Sequence, residues 1–178
     1  MPEHDRRARF EQTVLPHLDA AFNLARWLTG NDHDAEDLVQ EAYLRAYRFF
    51  DRFHGTDGRP WLLRVVRNTC YTWLRQNRPH EATSFDEEVH SKEDASPEPE
   101  KLLLQKSTRQ LLRDALEELP GEFREVIVLR ELEGCAYKEI AAVVGVPVGT
   151  VMSRLARARG RLQQCLAPRL NKELEGDL

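Results

Sequence analysis

An acidic stretch near the middle of the chain limits what the sequence can fold into. Between positions 80 and 100 there are eight acidic residues and a single lysine, and three prolines lie in or beside the stretch. Such a segment cannot bury enough apolar surface to offset the entropy it would lose on ordering. We therefore predict an acidic flexible linker at residues 79–101 that joins two small domains, at residues 10–78 and 102–168.

Both flanking zones carry apolar residues at helical spacing, and neither carries the sustained alternation typical of strands. In the first zone the apolar pattern predicts a helix from Val14 to Leu28 that ends at Gly30. Asn31 and the acidic residues after it are typical of the start of a second helix. The glycines and proline of Phe53–Pro60 predict a loop. Further helices are expected at about 61–77, 107–119, 122–132, 137–144 and 148–166. The predicted fold class is all-α.

Composition and motifs exclude several classes of protein. The chain has 178 residues, a net charge of −4 and three cysteines that are widely spaced. This cysteine pattern argues against a disulfide framework, and no histidine or cysteine spacing suggests a metal site. The charged N-terminus is unlike a signal peptide, and no apolar run approaches the length of a membrane helix. We expect a cytoplasmic protein without membrane insertion, metal or other cofactor.

No catalytic residues are predicted. The sequence shows no nucleophile with a general base and no phosphate-binding loop of recognised length. We therefore expect that the chain is not an enzyme.

Residues 137–157 predict a helix-turn-helix. Ala141 is small enough to let a second helix approach, Gly145 suits a turn with positive φ, and Pro147 suits the start of the next helix. Between Ile140 and Lys172 there are six basic residues and no acidic residue. Positive charge segregated on one helix is what contact with DNA phosphates requires. The second helix should therefore lie in the major groove of double-stranded DNA.

The helix predicted from Trp61 to Asn77 has a basic and aromatic edge. The residues at this edge fall within an arc of about 80° at helical spacing, and no acidic residue occurs from position 58 to 80. Cations with aromatic rings among them suit single-stranded nucleic acid. The alternative is a solvated arginine face over a core that includes Trp61 and Trp73. The edge consists of Arg64, Arg67, Tyr71, Arg75 and Arg78.

An acidic cluster marks the helix that follows Asn31. Asp37, Gln40 and Glu41 lie within about one turn, and Arg45 follows Glu41 by four residues. Taken alone, this pattern fits an ordinary solvated helix with an ion pair equally well as a binding surface.

Taken together, the motifs resemble those of bacterial RNA polymerase sigma factors of the sigma-70 family, most closely the extracytoplasmic-function (ECF) type. The resemblance covers about three quarters of the chain in the family's order. The segments that carry it are DAEDLVQE (34–41), WLLRVVRNT (61–69), LP (119–120), LRELEG (129–134), YKEIA (137–141) and VGTVMSRLARAR (148–159).

The resemblance implies roles for both domains in promoter binding. The second domain would bind the −35 element of promoter DNA through Val148, Gly149, Thr150, Ser153, Arg154, Arg157 and Arg159. The first domain would melt and read the −10 element through Phe53, Trp61, Arg64, Arg67, Asn68, Tyr71, Arg75 and Arg78.

The resemblance also implies protein partners. Asp37, Leu38, Gln40, Glu41 and Arg45 would dock on the clamp helices of the largest subunit of core RNA polymerase, and the polymerase flap is a further implied contact. The acidic linker resembles the segment that threads the polymerase cleft. Many ECF factors are held inactive by an anti-sigma factor, which is a further candidate partner.

Two departures from the family pattern bear on DNA binding. Met152 stands where the family usually has a basic residue, which removes a phosphate contact. Ala136 stands where a serine usually caps the first helix of the motif, and a lost cap is worth about 1 kcal/mol. The alternative functions are a free-standing helix-turn-helix regulator, and an adaptor or anti-sigma-binding decoy without initiation activity.

Overall fold

The computed structural model describes residues 2–77 and 100–176. Within these residues the chain is helical and contains no strand, which confirms the all-α class. The predicted linker lies outside the described residues except for Glu100 and Lys101, which already belong to a helix. Arg78 also lies outside them. We refer to residues 2–77 as the N-terminal unit and to residues 100–176 as the C-terminal unit.

The N-terminal unit consists of four helices in which α2, α3 and α4 pack against one another. Their contact faces bury Leu24, Leu38, Leu62, Leu63 and Val66. Short 3₁₀ turns at Leu15–His17 and Phe50–Arg52 connect the elements. The helices are α1 (Glu3–Val14), α2 (Leu18–Thr29), α3 (Asp32–Arg48) and α4 (Gly58–Asn77).

The first helix is an element that the sequence pattern did not predict. α1 is mostly polar, but its Phe10 is 1% exposed and its ring meets those of Tyr43, Tyr47 and Phe50 edge-on at 5.0–5.2 Å. Such aromatic contacts add to the stabilisation from buried area. Phe10 and Val14 are the two buried residues of α1, and two apolar positions are too few to show a helical period in the sequence.

The helix predicted from Val14 to Leu28 is wrong in its first turn. α1 ends at Val14, and α2 begins only at Leu18 after the 3₁₀ turn. Pro16 lies in that turn and explains the break. In a continuous helix, Pro16 would have no N–H to donate and its ring would clash with the carbonyl four residues earlier. The end of α2 is as predicted, with Gly30 at φ 72°. The Asn31 side chain then accepts a hydrogen bond from the Asp34 N–H at 3.0 Å.

The C-terminal unit also consists of four helices. The helix at Tyr137–Val144 has the predicted bounds. The helix at Glu100–Glu118 begins earlier than predicted, and the helix at Val148–Gly176 ends later. The second passes directly into a π-helical turn at Val128–Leu132, where the Glu133 N–H reaches the Val128 carbonyl at 3.1 Å. The helices are α5 (Glu100–Glu118), α6 (Gly121–Ile127), α7 (Tyr137–Val144) and α8 (Val148–Gly176).

A half-buried arginine closes the corner between α5 and α6. Arg124 donates to the carbonyl oxygens of Leu116 at 2.9 Å and Leu119 at 2.8 Å, and it also reaches Glu117. These are carbonyls that the end of a helix leaves without partners. Burial lowers the pKa of Arg124, with the nearby Tyr71 and Glu117 acting in the opposite direction.

The two units pack against each other, mainly through α4 against α7 and α2 against α6. Their buried side chains form one continuous apolar cluster. No local sequence pattern indicated this contact. Over the described residues, no single helix has both the length and the apolar character needed to span a membrane.

Candidate nucleic-acid interface

The helix-turn-helix is formed by α7 and α8, whose axes meet at 98°. Ile140, Val151 and Leu155 are buried between the two helices. Gly145 forms the turn at φ 76°, where its N–H reaches the Ala141 carbonyl at 2.9 Å. The crossing angle lies in the range of DNA-binding motifs of this type. The arrangement leaves the opposite face of α8 free to enter a groove.

The exposed face of α8 is lined mainly by small side chains. Gly149, Ser153 and Ala156 lie on the side away from the buried Val151 and Leu155. Ser153 donates to the Thr150 carbonyl at 3.0 Å, and Gly149 has no atom near the place where a Cβ would be. Small side chains allow the backbone to approach base edges closely. The predicted residues Val148, Gly149, Ser153, Arg157 and Arg159 are exposed, and Thr150 is half-buried.

The arginines of α8 fall into two groups. Arg157 is exposed on the outer face of α8, beside Ser153 and Ala156. Arg154 is only 23% exposed in its side chain and points towards Glu122 of α6, at 3.9 Å. Arg159 donates to Glu131 at 2.7 Å, and the Arg161 guanidinium lies 4.8 Å from the centre of the Phe123 ring. Arg157 is therefore the predicted −35 arginine best placed for a direct contact.

The predicted loop before α4 is short, and its aromatic side chains pack together. Phe53 and Trp61 lie with their ring centres 5.0 Å apart, and Phe50 lies 6.1 Å from both. α4 begins at Gly58, three residues earlier than expected. A Cβ at Gly58 would lie 2.4 Å from the carbonyl oxygen of Thr13. This glycine therefore permits the close approach of α1 and α4.

The basic edge of α4 is divided between solvent and the C-terminal unit. Arg64, Asn68 and Arg75 are exposed, whereas Arg67 and Tyr71 are partly covered. Arg67 lies with its guanidinium 4.6 Å from the centre of the Tyr71 ring. The sequence left two alternatives for this edge, a surface for single-stranded nucleic acid and a solvated arginine face over an aromatic core. The structure gives partial support to each, since the aromatic residues pack and some of the arginines remain exposed.

Arg67 is held by a buried carboxylate of α6. Its Nε and Nη2 donate to the two oxygens of Glu125 at 2.7 and 3.2 Å, and the Tyr71 hydroxyl hydrogen-bonds the same group. Glu125 is 1% exposed. Burial raises the pKa of Glu125, and Arg67 and Tyr71 only partly offset the effect. Burial alone would lower the pKa of Arg67. The hydrogen bonds to Glu125 and its negative charge outweigh burial, so the pKa of Arg67 is raised.

A second arginine connects α4 to the start of α7. Arg59 donates to both oxygens of Glu139 at 2.9 Å and to the Glu133 carbonyl at 3.2 Å. Glu139 also accepts from the Ala136 N–H at 3.1 Å. A full capping box has two side-chain hydrogen bonds, one accepted by the residue at position 136 and one accepted by Glu139. Alanine has no side-chain acceptor, so these residues form only the hydrogen bond to Glu139. Glu139 therefore both caps α7 and holds Arg59.

The outer face of α3 presents charged and polar groups with one large apolar side chain. Asp37, Gln40 and Glu41 are exposed, and Arg45 donates to Glu41 at 2.7 Å. The assignment of Leu38 to a docking surface needs correction, because Leu38 is 2% exposed and packs in the core. Leu44, at 66% exposure, lies on the outer face instead. The sequence motifs did not single out Leu44, although it lies three residues after Glu41 on the same helical face.

The described residues contain no group of three or more His, Cys, Asp or Glu side chains that could hold a metal ion. A helix-turn-helix in one unit and an acid-free basic helix in the other define a two-unit nucleic-acid-binding protein.

Comparisons with known proteins identify the family. The family model for sigma-70 region 2 matches residues 13–80, and the model for sigma-70 region 4 matches residues 109–162. The ECF RNA polymerase sigma factor SigE of Mycolicibacterium smegmatis is 35% identical over 158 residues, which cover 89% of this chain and 62% of that protein. The ECF RNA polymerase sigma-E factor of Escherichia coli K12 is 38% identical over 149 residues, which cover 78% of this chain and 77% of that protein.

Solved structures agree. The sigma factor RpoE of Bartonella quintana, in complex with the anti-sigma factor NepR, has a TM-score of 0.68 and 32% identity, with 89% of this chain and 97% of that chain covered. CnrH, in complex with the cytosolic domain of CnrY, has a TM-score of 0.64 and 27% identity, with 91% and 90% covered. The chain belongs to the sigma-70 family, in its ECF group, which confirms the resemblance of its motifs.

Proposed function

We propose that this chain is a promoter-specificity factor. It binds core RNA polymerase, recognises the −35 and −10 elements and helps to melt the promoter. Such a factor positions an enzyme that it does not itself contain. Because bacterial RNA polymerase works in the cytoplasm, the proposed function places the chain there. The presence of both sigma-70 regions in one chain favours this function over a free-standing helix-turn-helix regulator.

The observation that carries the proposal is the exposed face of α8 in a helix-turn-helix of the sigma-70 family. Gly149 and Ser153 let the helix enter the major groove, and Arg157 lies at the edge of the same face. Bidentate arginine contacts to guanine and small-residue contacts are typical of base reading there. Arg154 and Arg159 would contribute once they leave the carboxylates of Glu122 and Glu131.

The N-terminal unit would act on the −10 element through α4 and the loop before it. Arg64, Asn68 and Arg75 are available for phosphates and base edges, and the Phe53–Trp61 pair offers aromatic faces nearby. Extruding a base from the duplex costs a few kcal/mol, which stacking and cationic contacts can offset.

The exposed face of α3 would dock on core polymerase. Asp37, Gln40, Glu41 and Arg45 surround Leu44 on this face. An exposed apolar side chain within a polar rim is the usual composition of a protein interface. The complex of the relative RpoE with the anti-sigma factor NepR suggests that an anti-sigma factor is a further partner of this chain.

The docking role is tested by Glu41→Lys. We expect core polymerase to bind the variant at least tenfold more weakly, because the substitution reverses a charge on the proposed docking face and disrupts its electrostatic match to the partner. Folding should be almost unaffected, since the exposed Glu41–Arg45 pair contributes at most about 1 kcal/mol. Affinity for labelled core polymerase and run-off transcription on a genomic promoter pool are the measurements.

Glu3→Lys is the matched control, because it makes the same charge change at the exposed start of α1. It should retain wild-type core affinity. Unchanged core binding by the Glu41→Lys variant would remove α3 from the docking surface. A chain that shifts a palindromic duplex at nanomolar concentration without core polymerase, and fails to direct run-off transcription, would be a free-standing regulator.

A further inference from the structure

The exposed side of α8 is apolar along one flank. Val148, Met152 and Ala156 are all exposed, Met152 at 53% and Val148 at 37%. They follow one another at four-residue intervals, so successive side chains are offset by only about 40° and form a strip along the helix. We refer to these three residues as the apolar strip. The buried Val151 and Leu155 lie on the core side of it.

We propose that the apolar strip makes this chain read thymine in duplex DNA, through contact with the C5-methyl group. Met152 is then the main specificity-determining residue, because it is the largest and most exposed side chain of the strip. The inference rests on the proposed role of α8 in binding duplex DNA. It goes further because it names the base that α8 selects.

The first residues of α8 carry no charge. From Val148 to Met152 the chain has no acidic and no basic residue, and the first arginine of the helix is Arg154. In a helix-turn-helix, the residues at the N-terminal end of the second helix meet the base edges. Reading of guanine by arginine is therefore not available in this turn. The base contacts of the turn have to come from uncharged side chains and the backbone.

Thymine is the base that offers an apolar partner in the major groove. Base pairs present hydrogen-bond donors and acceptors there, and thymine adds the C5-methyl group. A methionine laid over a donor or acceptor removes water from it without replacing the hydrogen bond, which is unfavourable. Contact with a methyl group instead removes apolar surface of both partners from water. The chemistry of the strip therefore matches thymine.

The opposite flank of α8 has a different chemistry. Thr150 is half-buried and Arg157 is exposed, and both lie about 140–160° around the helix from Met152. Gly149 and Ser153 lie between the two flanks. Because these two side chains are so small, neither flank is held away from DNA by a bulky residue between them. The two flanks of one helix can therefore contact different types of base.

The length of the strip limits how many base pairs can be read in this way. From Val148 to Ala156 the helix rises about 12 Å, at about 1.5 Å per residue. That is the length of about three to four base-pair steps at about 3.4 Å each. The thymines that the strip reads should therefore lie within about four neighbouring base pairs.

The test uses the full chain and two pools of short random-sequence duplexes, one amplified with thymidine triphosphate and one with deoxyuridine triphosphate. Deoxyuridine pairs with adenine as thymidine does and lacks only the C5-methyl group. The immobilised chain selects duplexes from each pool at micromolar concentration, alone and with core polymerase. We expect the thymine pool to yield an element with thymines at neighbouring positions, and the uracil pool to lose this preference.

The affinity of the full chain for the selected element measures the methyl contact directly. Burial of one methyl group is worth a factor of about four, so replacing the contacted thymines with uracil should weaken wild-type binding at least about threefold. Met152→Gln should bind the two duplexes nearly alike, because glutamine keeps the length of the side chain and lacks its apolar end. Met152→Leu should keep the preference for thymine. Position 152 is exposed, so neither change should alter folding.

Leu174→Gln is the matched control, because it makes the same kind of change in α8 outside the strip, where Leu174 is 72% exposed. This variant should keep the wild-type ratio of the affinities for the thymine and uracil duplexes. A cation at position 152 should instead add affinity for any sequence, since phosphate contacts carry no sequence information.

Several outcomes overturn the inference. A wild-type chain that enriches the same element from both pools, or binds both duplexes alike, does not read the methyl group. A chain that enriches no element reads no base through α8. A Met152→Gln variant that keeps the thymine preference assigns that preference to another residue. If the same variant also loses affinity for core polymerase, the strip is a protein contact.

The duplex measurements separate this inference from the proposed function. They report binding and not transcription, so a chain that reads thymine and directs no run-off transcription supports the inference and contradicts the promoter-specificity role. A chain that directs run-off transcription and binds thymine and uracil duplexes alike does the reverse.

Discussion

At the scale of single residues, charge pairs of similar geometry differ widely in their effect on stability. The exposed Glu41–Arg45 pair and the buried Glu125–Arg67 pair have the same shortest N–O distance, 2.7 Å. The exposed pair contributes a few tenths of a kcal/mol. Removing one partner of a buried pair typically costs about 3–5 kcal/mol, because the other charge is left without compensation. Burial, rather than distance, therefore selects the ion pair that matters for the contact between the units.

Met152 offers a residue-scale test of DNA binding. Its side chain is 53% exposed on α8, next to the predicted −35 face. Met152→Arg should restore a phosphate contact, tighten binding to a −35 duplex and steepen the slope of log K against log salt by about 0.9. Titrations of the labelled duplex at several salt concentrations give this slope.

Leu174→Arg is the control for Met152→Arg, because it adds the same charge to an apolar position at the far end of α8, where Leu174 is 72% exposed. Its slope should stay close to that of the wild type. Equal slopes for the two variants would show that the new charge at position 152 acts only through the net charge of the chain.

At the scale of elements, close approach of helices decides positions that propensity leaves open. Gly58 begins α4 although glycine disfavours helix. A Cβ there would lie 2.4 Å from the Thr13 carbonyl oxygen and 2.5 Å from the Thr13 Cγ2. α1 can therefore pack against α4 only because this position has no side chain. The sequence marks Gly58 as part of a loop, and its role in packing follows from a contact with a helix that the sequence did not predict.

Gly58→Ala should destabilise the protein by about 1–3 kcal/mol, because α1 or α4 must shift to relieve the overlap. Gly160→Ala in α8 is the control, since no atom lies within 4 Å of its Cβ position. Alanine there should be neutral or stabilise by up to about 1 kcal/mol through its helix propensity. Chemical denaturation followed by circular dichroism measures both. A neutral Gly58→Ala would mean that α1 does not pack against α4 in solution.

At the scale of the whole molecule, the two units touch each other in this structure, whereas the −10 and −35 elements of the proposed function would hold them apart on DNA. Labels on the two units should therefore move apart when core polymerase and promoter DNA bind. Cys165 is partly exposed in α8, whereas burial raises the pKa of Cys70 to about 12 and that of Cys135 to about 11. At neutral pH both buried groups remain unreactive thiols, since the thiolate is the nucleophile. Partial burial and the hydrogen bond to Glu118 also raise the pKa of Cys165. Its partial exposure, which Cys70 and Cys135 lack, still makes Cys165 and a thiol introduced by Glu3→Cys the accessible positions for labelling.

Energy transfer between these two labels should be high in the free chain and fall by at least half in the polymerase–promoter complex. Core polymerase without DNA gives the intermediate measurement, which shows whether docking alone separates the units. Transfer that stays constant in all three states would contradict the separation. A Glu3→Cys, Cys165→Ser double variant, which leaves the introduced thiol as the only reactive one, controls for changes in dye environment.

Local sequence determined the helical class, most of the helix ends and the family. Apolar periodicity and the signals at Gly30, Asn31 and Gly145 depend on neighbours within a few residues, so they can be predicted without a structure. The family motifs are likewise short segments in a fixed order. The exposed part of the predicted site, including Ser153, Arg157 and Glu41, follows from the same helical geometry.

Tertiary structure alone decided which predicted residues are accessible. Leu38 belongs to the core, Phe53 packs on Trp61, and Arg67 is held by Glu125, a residue 58 positions away in sequence. Burial depends on which surfaces meet across the chain, and no local pattern records that meeting. The sequence thus determined two helical units and the basic faces that we propose for DNA binding. The contact between the units, which leaves one face open and covers part of the other, exists only in the folded chain.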